Sequence, residues 1–168
     1  RGDLPLAAQT FLDLARRTSD PRVARRAVEI ANQARMPELA LDAARTWQEL
    51  DPGSPQALQV LAALLVANKR AEEALPHLEK LLASEGMSPE NGFMQLNRLL
   101  AANPDKAANL RVVRTLASKY PKLPQAHFAL AQAAAAAGDD DAAVAAVRRA
   151  AALRPDWELA ALLEAQIL

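Results

Sequence analysis

Between Pro124 and Asp156 apolar and small residues recur at helical spacing in two runs, separated by Gly138-Asp139. The spacing predicts a helix from about Gln125 to Ala137 and a second, antiparallel one from about Asp141 to Leu153. Gly138 can take the positive φ that ends a helix, and Asp139 or Asp140 can accept bonds from the orphan N–H groups of the next one. Pro155 stops the second helix. Ala131, Ala143 and Ala150, on the facing sides, would let the two backbones approach closely.

The pattern repeats. Pro21, Pro55 and Pro89 are spaced 34 residues apart, and Ala7, Ala40, Ala74, Ala108 and Ala143 fall at one equivalent place, position 20 counted from each opening proline. A fixed period of this length marks stacked helical pairs, each unable to bury its apolar face alone. The predicted organisation is a half-repeat over 2–19, units over 21–54, 55–88, 89–123 and 124–157, and a final helix over 157–168. That last helix is apolar at Leu159, Leu162, Leu163 and Ile167 and should pack on the fourth unit. Leu58, Leu61, Ala62 and Leu65 of the second unit carry the regular pattern, with Asn68-Lys69-Arg70 in place of the Gly-Asp turn. The third unit departs from it. Gly92 and Gln95 stand where large apolar groups are expected, Asn103-Pro104-Asp105 forms the turn, and Tyr120-Pro121 closes the unit one residue late. A bend of the array is expected there, with the contact surface in the groove where this irregular unit meets the fourth.

The 34-residue period, the small residues at positions 8, 20 and 27 and the closing proline resemble the tetratricopeptide repeat (TPR) over essentially the whole chain. The resemblance implies an all-α fold, a right-handed TPR-type α-solenoid of about ten antiparallel helices, whose concave face holds a partner protein or peptide. A narrower resemblance, carried by Leu14 to Ala31, Ala44-Arg45-Thr46-Trp47, Ala126-His127-Phe128-Ala129 and Arg154-Pro155-Asp156-Trp157, is to proteobacterial TPR lipoproteins. These face the periplasm from the outer membrane, and one type is the adaptor of a carboxyl-terminal processing protease. It implies a periplasmic, outer-membrane-anchored protein with such a protease as partner; a cytoplasmic location is the alternative. The lipid-carrying cysteine would lie upstream, since the chain has no initiating Met, starts at the turn Arg1-Gly2-Asp3 and reads as a piece of a longer protein.

In TPR arrays the first helix of each unit turns positions 2, 5, 9, 12 and 13 into the groove. Carried over, the resemblance places Arg22, Arg25, Glu29 and Gln33 there from the first unit, Gln56 and Gln59 from the second, Phe93 and Asn97 from the third, and Phe128 and Gln132 from the fourth. Amide side chains offer both a donor and an acceptor, which suits the backbone of an extended peptide. Phe93 and Phe128 could form an apolar shelf; the competing reading puts them in the core between repeats and leaves the amides as solvated helix residues. The clamp that grips a chaperone's carboxy-terminal carboxylate is set aside: Glu29, Ala63 and Phe93 hold places its Lys and Asn residues would need.

Composition narrows the alternatives. The 168 residues are 51% hydrophobic and 4% aromatic, suiting helices packed on small side chains. Lys+Arg and Asp+Glu balance at 20 each, which argues against nucleic acid as the partner and against an RNA-reading helical repeat. With no cysteine there is no disulfide, thiolate nucleophile or Cys-ligated metal. No apolar run reaches the length of a membrane span. His77 shares a helix face with Glu73, too small a set to argue for a metal site, and His127, in a place these repeats often give to Trp, reads as a packing residue. The Asp139-Asp140-Asp141 run reads as a helix cap, and the five scattered glycines make no phosphate loop. Neither a cofactor nor a catalytic constellation is expected. The function class is a non-catalytic protein-interaction scaffold; the contrasting class is an architectural or self-associating repeat segment, a homo-oligomer.

Overall fold

The computed structural model describes residues 3–84 and 86–168, so Gly2 in the opening turn lies outside the described residues. Among the described residues ten α-helices follow one another: α1 Leu4–Thr18, α2 Pro21–Gln33, α3 Pro37–Leu50, α4 Pro55–Ala67, α5 Leu75–Ala83, α6 Pro89–Leu100, α7 Lys106–Ala117, α8 Pro124–Ala136, α9 Asp140–Leu153 and α10 Glu158–Ile167. No strand occurs among the described residues. No described helix is long and apolar enough to cross a membrane.

Local chemistry sets these boundaries. Pro21, Pro37, Pro55, Pro89 and Pro124 each open a helix at its first position, where a missing N–H costs nothing. Ser54 and Ser88 cap α4 and α6 by accepting from Ala57 N at 3.2 Å and Asn91 N at 3.3 Å. Asp105 and Asp139 cap α7 and α9 in the same way, accepting from Ala108 N and Ala142 N. The turn inside three of the units holds a left-handed residue at the equivalent place: Arg35 (φ 56°), Lys69 (φ 62°) and Gly138 (φ 81°).

Packing follows the small residues. Ala131, Ala143 and Ala150 are completely buried where α8 and α9 pack, and Ala40 and Ala74 are equally enclosed. One continuous core runs from Leu12 to Ala143 through Leu41, Leu61, Leu65, Phe93 and Val113. A second cluster at the carboxy-terminal end joins Phe128, Val147, Trp157 and Ala160, with Leu163 and Ile167 against it. Leu159 and Leu162 of α10 point outward, 46% and 52% exposed.

Two departures from regularity shape the molecule. The second helix of the second unit is not continuous: Ala71–Ala74 form a 3₁₀ turn before α5, because Pro76 has no N–H to donate and tolerates only a first-turn position. In the third unit α6 packs closely on α8 and not on α7, its own hairpin partner. Leu96, buried, occupies the place that the small Ala62 and Ala131 hold in the neighbouring units. Their connection is held by side chains. Asn103, 2% exposed, donates through Nδ2 to Asn109 Oδ1 at 3.1 Å, and Asn109 Nδ2 donates to Leu100 O at 2.9 Å.

Candidate functional site

The first helices α2, α4 and α6 border two adjoining clefts. The first lies between α2 and α4, with Trp47 of α3 behind; Arg25, Val28, Glu29, Asn32, Gln56, Gln59 and Val60 line its volume of about 300 Å3. The second, also about 300 Å3, lies between α4 and α6 on a floor made by Leu78, Leu81 and Leu82 of α5. Ala63, Met87, Gly92, Gln95, Leu96, Arg98 and Leu99 complete it. Gln59 lines both, so the clefts adjoin across α4, and together they make a trough bordered by three successive first helices.

The second cleft has a legible origin. Gly92 and Gln95 stand 34 residues after Leu58 and Leu61, which are 3% and 1% exposed and fill the corresponding space one unit earlier. Gly92 contributes no side chain, and Gln95 turns out to solvent. The volume an inward apolar side chain at position 95 would fill is left open, while Leu82 takes the space beside Gly92. The α6 backbone also comes so close to Leu82 that a Cβ on Gly92 would collide with its Cδ2. α6 is held in place from the other side by Asn97 and α8.

Charged groups border the first cleft, although most of its lining is apolar. Arg25 lies with its guanidinium carbon 5.8 Å from the Trp47 ring centroid and pairs with Glu29 at 3.6 Å; Arg26 reaches Glu29 at 2.9 Å. These ion pairs are solvent-exposed and worth little to stability, so their groups can exchange partners at small cost.

Of the residues expected in the groove, Arg25, Glu29, Gln56 and Gln59 are gathered along one wall-to-wall surface. The others are not. Arg22 lies at the start of α2 with its side chain on Asp20, 3.0 Å away, and this guanidinium contact holds the Asp20 carboxyl below the usual carboxylate range. Gln33 is exposed at the end of α2, outside the trough. Phe93 and Phe128 are corrected outright: they are 0% and 5% exposed and form no shelf. Phe93 packs edge-on against Tyr120 with centroids 5.4 Å apart, and Phe128 lies against Trp157 at 4.9 Å. Burying a large aromatic face between repeats outweighs presenting it to water.

Asn97 and Gln132 are half-buried and bonded to each other. Asn97 Nδ2 donates to Ala129 O at 2.9 Å and to Gln132 Oε1 at 3.2 Å. Their amides therefore lock α6 to α8, and the groove between the third and fourth units is closed by this contact. The open cleft lies one junction earlier. Leu82, Met87, Leu99 and Arg98 were not anticipated there, although the gap at Gly92 and Gln95 was the signal for them.

His77, on α5, has its Nδ1 out of solvent with no hydrogen-bond partner. Burial first, then the charges of Lys80 and Arg45, keep its pKa below the ordinary 6.5. Among the described residues no three His, Asp or Glu side chains come close enough to hold a metal ion.

No protein-family model matches the chain. It is 28% identical over 131 residues to a TPR repeat-containing protein of Pseudomonas aeruginosa, across 78% of this chain and 22% of that protein. The chain thus spans about a fifth of the length of this curated relative, 22%. Among solved structures it is similar to YrrB, described as a TPR protein with an unusual peptide-binding site, with a TM-score of 0.51 and 18% identity over 99% of this chain and 84% of that one. It is also similar to MamA, with a TM-score of 0.51 and 15% identity over 92% of this chain and 84% of that one. These likenesses bear on architecture: the fold is a tetratricopeptide-repeat solenoid.

Proposed function

We propose that the chain is a non-catalytic docking scaffold that holds a segment of a partner protein in the trough formed by α2, α4 and α6. The observation that carries this reading is the pair of clefts, each about 300 Å3, that adjoin at the shared Gln59. Arg25, Glu29, Gln56 and Gln59 supply donors and acceptors for an extended backbone, and the α4–α6 cleft supplies apolar surface. A peptide-binding site in a protein of the same fold, YrrB, supports the reading by analogy. The finer reading, a tether or activator of a carboxyl-terminal processing protease facing the periplasm, rests on the sequence resemblance over Leu14–Ala31 and Ala44–Trp47. Its test is co-purification of that protease with the full-length protein.

The docking surface itself is tested by photo-crosslinking. A photoreactive residue is placed at Gln56, in the trough, or at Arg149, exposed on α9, in the full-length protein in its own cell. The expected result is a discrete adduct from Gln56 and none from Arg149. Equal labelling from both positions, or adducts containing only a second copy of the chain, would overturn the assignment and favour an architectural, self-associating segment.

A further inference from the structure

We infer that the α4–α6 cleft is an anchor site for an acidic–aliphatic stretch of the partner: one or two large aliphatic side chains next to an aspartate or glutamate. This inference rests on the docking reading above and adds the chemistry of the segment that docks. The interior of the cleft is aliphatic, with Leu78, Leu82, Leu96 and Leu99 joined by Met87, whose flexible thioether adapts to differently shaped occupants. Among the described residues the one charged group lining it is Arg98, which is exposed and forms no ion pair with another described residue. No carboxylate lines the cleft among the described residues. An occupant with a carboxylate beside its apolar group therefore meets the Arg98 guanidinium, which pairs with no other described residue, and a lysine in that place meets repulsion.

Two features favour a peptide over a free carboxylate amphiphile. Gln59 and Gln95 present amides at the cleft, each able to donate to and accept from a peptide backbone. The cleft also adjoins, across Gln59, one of similar volume bordered by Arg25, Glu29 and Gln56, which a short aliphatic chain would leave without partners.

The probe is a capped peptide, Ser-Gly-Leu-Asp-Leu-Gly-Ser, with counterparts carrying Lys for Asp or Ala for both Leu. Titration is followed by methyl NMR of Leu82, Leu99 and Met87. The acidic peptide is expected to shift these methyls, and both counterparts to bind at least fivefold more weakly. Ala63→Trp, at an exposed position on the cleft wall, should weaken the acidic peptide at least tenfold. Arg98→Glu should invert the Asp-over-Lys preference. Absence of methyl shifts at millimolar peptide, equal affinity in Ala63→Trp, an unchanged preference in Arg98→Glu, or tighter binding of decanoate than of the peptide would each overturn the inference. If adducts from Gln56 persist while these tests fail, the docking surface stands and only the anchor chemistry is wrong; loss of both removes the docking reading itself.

Discussion

Replacing Asn109 by alanine tests the account of the third unit. Asn109 is 5% exposed, accepts from Asn103 Nδ2 at 3.1 Å and donates to Leu100 O at 2.9 Å. Leu100 O keeps a second donor, Asn103 N at 3.0 Å, so the carbonyl is not orphaned. The Asn103 amide is left with the weaker bond to Asp105 O at 3.4 Å. A lost buried bond costs about 1 kcal/mol net, and a poorly satisfied buried donor about 1–3 kcal/mol, which places the total near 2 kcal/mol. For a chain of this size that corresponds to a fall in melting temperature of about 4–8 °C. Because side chains, not close backbone packing, connect α6 to α7, the loss should be local. Amide exchange should quicken in α6 and α7 and hold steady in α2 and α3. A double-mutant cycle with Asn103→Ala should give a coupling of about 1 kcal/mol. A melting shift under one degree, or exchange rising evenly along the chain, would refute the reasoning.

Further outcomes follow from other positions. Lys69→Gly and Arg35→Gly relieve left-handed backbone at φ 62° and 56°, and each should raise stability by about 0.5–1 kcal/mol in denaturant titration. Ala143→Asp forces a carboxylate into the completely buried α8–α9 contact and should cost about 3 kcal/mol or more; a melting point within a degree of the parent would show the helix pairing to be wrong. His77 titrates below 6.5 when folded and at the ordinary value when unfolded, so at mildly acidic pH the unfolded chain binds more protons. The neutral-imidazole contribution is therefore complete above pH 6.5 and lost as pH falls below it. Melting at pH 7.5 and 5.5 should show a larger drop for the parent than for His77→Leu; parallel drops would contradict this.

The regular parts of the fold were readable because each rests on local chemistry. Pro21, Pro55 and Pro89 open helices, Ala40, Ala74 and Ala143 are enclosed between them, and Gly138 takes its positive φ. Of the candidate site in the first two units, Arg25, Glu29, Gln56 and Gln59 line the α2–α4 cleft, while Arg22 and Gln33 lie outside it. The site was misplaced in the last two, because groove position alone does not decide whether a side chain finds a partner inside the protein. Phe93 meets Tyr120, Phe128 meets Trp157, and Asn97 meets Gln132, contacts 27 to 35 residues apart that the repeat pattern does not encode. The anomaly at Gly92 and Gln95 was visible as missing bulk. Its consequence, an open cleft in addition to a change in packing, depended on α6 being held to α8.

The docking claim is tested most directly by partner affinity in the triple variant Glu29→Ala, Gln56→Ala, Gln59→Ala. All three residues are exposed, so the melting curve should stay within about one or two degrees of the parent, as expected for surface changes. The partner captured from Gln56 should bind the variant at least tenfold more weakly. Unchanged affinity with an unchanged melting curve would contradict the account and move the partner off the trough.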